Sequence, residues 1–65
     1  MIERIFYLTN NAGAHRLIHK IQGGIPCFTQ VDALEMNVIR FKISCREEDM
    51  GYVVRTLKKV TEYFE

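Results

Sequence analysis

His15 and His19 stand four residues apart in the stretch NNAGAHRLIH, residues 10–19. On a helix this spacing puts both imidazoles on one face, as in helical zinc-binding pairs. A zinc ion needs a third and a fourth ligand. The chain offers Cys27 and Cys45, but no CxxC, no HExxH and no third histidine. Small metal domains usually show paired ligand motifs. The simpler reading is a solvated helix face shared with Arg16 and Lys20, and no metal site is expected. The two cysteines could serve as a disulfide, as a nucleophile or as apolar filler. A nucleophile needs a lowered thiol pKa and a nearby base, and neither is visible around them. No phosphate loop, GxSxG elbow or Ser-His-Asp order is present. His15 could act as a general base only beside a cleft. A chain of 65 residues leaves little room for one, although a seam between two subunits could supply it. The expectation is a chain without catalytic residues and without a cofactor; an enzyme with its site at a dimer seam is the alternative.

These residues depend on a short set of elements. Ile2–Thr9 is rich in β-branched and aromatic side chains and reads as the first strand. The run Ile5-Phe6-Tyr7-Leu8 does not alternate, so both of its faces are expected to be covered. Asn10-Asn11-Ala12-Gly13 is turn chemistry. Ala14, Leu17, Ile18 and Ile21 then recur at helical spacing, predicting a helix over 14–22. Gly23-Gly24 and Pro26 are expected to end it. CFTQVDAL and VIRFKISC form a hairpin around Glu35-Met36-Asn37, with Asn37 in the left-handed region. This register sets Asp32 against Arg40 and Cys27 against Cys45. It collects Cys27, Thr29, Val31, Ala33, Ile39, Phe41, Ile43 and Cys45 on one face. A slip by one residue would mix the two faces. The opposed cysteines are near enough for a disulfide, but in a reducing cytoplasm two buried free thiols are expected. The last segment, 47–63, repeats apolar residues at helical spacing, with acids in its first turn and lysines later, as the helix dipole favours.

The order β-α-β-β-α predicts an α+β, ferredoxin-like fold over a single domain, residues 1–65. Its three strands lie in the order 1-3-2, with both helices on one face and strand three parallel to strand one. The fourth strand of the usual arrangement is missing from this reading. Strand one then becomes an open apolar edge, and a homodimer through that edge is expected. A small domain buries a limited core, which also favours a second subunit.

Charge narrows the partners. Nine basic residues against eight acidic ones give +1, too little to advertise nucleic acid or an acidic membrane. Arg40 and Lys42 fall on the open sheet face, so a nucleic-acid-binding module is the second alternative. The aromatic residues such a face needs are absent from VIRFKISC, where Phe41 points away. No run of 18 apolar residues occurs. MIERIFYLTN lacks a cleavage motif, so a cytoplasmic protein is expected.

LTNNAGAHRLIHKI is similar to the first strand, turn and helix of ACT regulatory domains. ISCREEDMGYVVRTLKKV resembles their closing strand and second helix. The resemblance spans nearly the whole chain. It departs from the family at Ala12, where proline is usual, in a shorter first helix and in the missing fourth strand. The resemblance implies a regulatory module that binds a small ligand at the first turn, beside a dimer interface. The positions it implies are Asn10, Asn11, Gly13, Ala14 and His15. Helix N-terminal N–H groups attract carboxylates, which is compatible with such a site. The expected function is therefore a small non-enzymatic interaction or regulatory module, binding a protein partner or a small ligand.

Overall fold

The computed structural model describes the backbone of residues 1–64 and the side chains of residues 1–61. The elements run β1 (Ile2–Thr9), α1 (Ala12–Gly24), β2 (Cys27–Leu34), β3 (Val38–Cys45), α2 (Glu47–Leu57) and β4 (Thr61–Phe64). They form one sheet in the order β2-β3-β1-β4. The first three strands keep the expected order 1-3-2, and the fold is α+β and ferredoxin-like.

The hairpin has the expected register throughout, from Cys27 opposite Cys45 to Leu34 opposite Val38. Its turn differs in one respect: Met36 and Asn37 both have positive φ, at 62° and 61°. A three-residue loop must reverse the chain while conserving this register, and two left-handed residues do so here.

Three expectations are corrected. First, β3 runs antiparallel to β1, not parallel. The α1 crossover relates β1 to β2. β3, as the return leg of the hairpin, inserts between them and opposes both. Second, α2 ends at Leu57 instead of residue 63. Val60 N donates to Leu57 O at 3.0 Å, and the Thr61 hydroxyl donates to the same carbonyl. These bonds close the helix, and the chain from Thr61 becomes β4. Third, β1 is therefore not an open edge along its length. β4 pairs antiparallel with Phe6, Tyr7 and Leu8, with a register shift between Tyr7 and Leu8. A dimer through the strand-one edge would have to displace β4 from these residues.

α1 also extends beyond its expected limits, through Gly23 and Gly24. Neither glycine has positive φ. The helix stops where Ile25 becomes extended, at φ −140° and ψ 154°. Ile25 precedes Pro26, whose ring disfavours helical geometry in the residue before it.

The core lies between the helices and one face of the sheet. Phe6 and Leu8 from β1 meet Ile39, Phe41, Ile43 and Cys45 from β3. Ala14, Ile18 and Ile21 of α1 and Met50, Val53 and Leu57 of α2 cover them. The Phe6 and Phe41 rings, register partners, have centroids 6.5 Å apart. Cover is uneven across the sheet. The matching face of β2 was expected in the core, yet Val31 is 42% exposed and Ala33 is exposed too. The helices sit over β1 and β3 and leave the distal half of β2 bare.

Candidate functional site

The turn between β1 and α1 is built as a helix cap. Asn11 is extended, and its Oδ1 accepts from Ala14 N at 2.8 Å. This satisfies one of the amides that a helix start leaves open. A Cβ on Gly13 would stand 3.3 Å from that same Oδ1, so glycine lets the cap close. Asn10 N donates to Asn37 O at 2.9 Å, tying the turn to the hairpin loop. His15 Nε2 donates to Asn10 Oδ1 at 2.8 Å in an exposed contact. Ala14 is fully buried and belongs to the core.

Asn10, Asn11, Gly13, Ala14 and His15 are thus brought together. The side chains of Asn10, Asn11 and His15 bond within the turn, and Ala14 faces inward. His19 is exposed on α1. Among the described residues, no group of three or more His, Cys, Asp or Glu side chains is placed to hold a metal ion.

Cys27 and Cys45 face one another as the hairpin register requires, and both are free thiols. Burial pushes both thiols upward; Asp49 adds to the effect at Cys45. Raised thiols hold little thiolate near neutrality and are weak nucleophiles.

The face of the sheet away from the helices carries a regular grid. Across it run Phe28–Ser44–Glu3, Gln30–Lys42–Ile5, Asp32–Arg40–Tyr7 and Leu34–Val38–Thr9. Arg40 Nη2 lies 3.2 Å from Asp32 Oδ2 and Lys42 Nζ 3.9 Å from Glu3 Oε1. Each open-face cation therefore stands beside a carboxylate, and the face has little net field to offer a phosphate backbone. A shallow depression of about 170 Å³ lies among Glu3, Phe28, Thr29, Gln30, Lys42 and Ser44. Ligand pockets usually enclose roughly 300–1,000 Å³.

Apart from Met1 and Ile2 at the start of the chain, the exposed large apolar side chains of the described residues gather around one strand. Phe28 is 72% exposed, Leu34 40% and Met36 90%, beside Val31 on the opposite face. All four lie on β2 or the loop after it. The signal was present in the sequence: β2 alternates poorly, with Phe28 and Leu34 on its nominally polar side. β2 is an edge strand of eight residues. It pairs with β3 without a bulge, and within it there is no lysine or proline. Natural edges are usually blunted by such devices.

Compared with known protein families, curated proteins and solved structures, the chain finds no match.

Proposed function

We propose that the chain is a non-catalytic association module that works by adding a second polypeptide to its sheet along β2. The observation that carries this reading is the concentration of exposed apolar side chains on both faces of one bulge-free edge strand. An edge presents a row of unpaired N–H and C=O groups to a partner strand. In strand addition the main chain supplies affinity, and alternate side chains supply specificity. Phe28 and Leu34 on one face and Val31 on the other would be those side chains. The sequence order 1-3-2 leaves strands one and two both at edges and favours strand one for association; with β4 against Phe6, Tyr7 and Leu8, this reading turns to β2, an edge along its whole length. Paired cations on the open face and raised thiols in the hairpin also fit a binding role better than phosphate recognition or nucleophilic chemistry.

Site-specific photo-crosslinking in cells tests the reading. A photoreactive residue replacing Val31 is expected to capture a polypeptide. One replacing the exposed Arg16 on α1 is not. Capture is expected to disappear when Phe28 and Leu34 are both changed to serine. No capture from position 31, or equal capture from both positions, would overturn the proposal.

A further inference from the structure

We propose that the strand added along β2 is the β2 of a second copy of this chain, antiparallel and in a register centred on Val31. This inference rests on the association role proposed above. A two-fold axis normal to the sheet sets β2 antiparallel to itself. It also keeps the open faces of the two copies continuous, so residues on like faces must oppose one another. Two such registers pair nearly the whole strand, one centred on Gln30 and one on Val31.

The two differ sharply in chemistry. Centring on Gln30 sets Phe28 against Asp32, a phenyl ring against a carboxylate, and leaves Leu34 outside the paired stretch. Centring on Val31 sets Phe28 against Leu34 at both ends. Val31 then meets its own copy on the other face, and Thr29 meets Ala33. Gln30 comes opposite Asp32, an amide donor facing a carboxylate. The same two groups already bond within one chain, Gln30 Nε2 to Asp32 Oδ2 at 3.2 Å. Each exposed large apolar residue of β2 thus gains an apolar partner, and Asp32, already beside Arg40, gains a donor from the other copy.

The unbroken pairing of β2 permits this addition. Its eight register pairs with β3 are unbroken, whereas β4, at the opposite edge, has four residues and a register shift against β1. The product is an eight-stranded sheet with β4 at each outer edge. The two β2 strands lie side by side at its centre, the bare distal half of each against residues 28–31 of the other.

Sedimentation equilibrium of the full chain at low to high micromolar concentration tests the proposal, with two neighbouring charge substitutions. The unaltered chain is expected to dimerise. Val31→Lys places two like charges on the axis and should raise the dimer dissociation constant more than about tenfold. Gln30→Lys places a lysine against Asp32 of the other copy, twice per dimer, and should leave the dimer intact or tighter. Both positions are exposed on an edge, and far-UV circular dichroism of each variant verifies that it is folded. Three results would each overturn the inference: a monomer at every concentration, a dimer indifferent to Val31→Lys, or a dimer lost with Gln30→Lys and kept with Val31→Lys. A monomer that still crosslinks another protein from position 31 would refute self-pairing alone. A monomer without that crosslink would remove the association role as well.

Discussion

Asn11 and His15 sit four residues apart and make equally short hydrogen bonds, yet they have different weight in the fold. The Asn11 bond to Ala14 N is part-buried and satisfies a backbone donor at the start of α1. The His15 bond to Asn10 is exposed and competes with water. Replacing an asparagine cap by alanine typically costs about 1 kcal/mol. Asn11→Ala is therefore expected to lower stability by about that amount in urea denaturation, with the slope unchanged. His15→Ala should fall within about 0.5 kcal/mol of the unaltered chain, as exposed substitutions do. A larger loss at His15 would indicate a structural role that the exposed bond does not supply. The Asn-Asn-Ala-Gly turn was readable as a turn because its residue types tolerate and stabilise such geometry. The asparagine that caps the helix was not separable from its neighbour. Both have the same side chain, and only the backbone path places Asn11 over the first helical amides.

At the scale of elements, the hairpin was legible and the last segment was not. Alternation along CFTQVDAL and VIRFKISC permits one register, since a slip by one residue exchanges faces. From Met50 to Leu57 the helical period is real, but Val60 and Thr61 continue it by coincidence. Those β-branched residues suit a strand equally well, and pairing with β1 decides between the two. The parallel orientation assigned to strand three failed for a geometric reason. In this topology the crossover relates strands one and two, and strand three lies between them. The hairpin turn offers a further test. Met36 is 90% exposed and left-handed, so its side chain contributes little while its backbone is strained. A left-handed L-residue costs roughly 1–2 kcal/mol, part of which glycine returns as unfolded-state entropy. Met36→Gly is expected to raise stability by up to about 1 kcal/mol in thermal or urea unfolding. A loss of stability would show that the Met36 side chain makes a contact worth more than the strain.

For the molecule as a whole, what covers each surface decides its use. Two helices seal β1 and β3, β4 lies along part of β1, and β2 is left with apolar residues on both faces. Composition could not reveal this. Val31 and Ala33 have the same residue types as core positions, and only the lateral placement of the helices exposes them. Charge distribution leads to a third expectation. Net charge is +1, and Arg40 and Lys42 are each beside a carboxylate. Nucleic-acid affinity grows with the number of phosphates that a protein neutralises. A gel shift with single-stranded RNA at low salt should show no salt-dependent complex. A complex that weakens steeply with salt would restore the open face as a nucleic-acid surface.

The hairpin carrying β2 also sets the timing of structure formation. Its strands join across a three-residue loop, while β1 and β3 bring together residues 29 to 43 positions apart. Short loops close quickly, and distant contacts must first overcome chain entropy. β2 and β3 can therefore zip together before β1 inserts. The β2 edge would then be exposed in a half-formed chain as fully as in the finished one. At high chain concentration, refolding should slow or divert into larger species as partly folded hairpins capture one another, and Val31→Lys should relieve this kinetic trap.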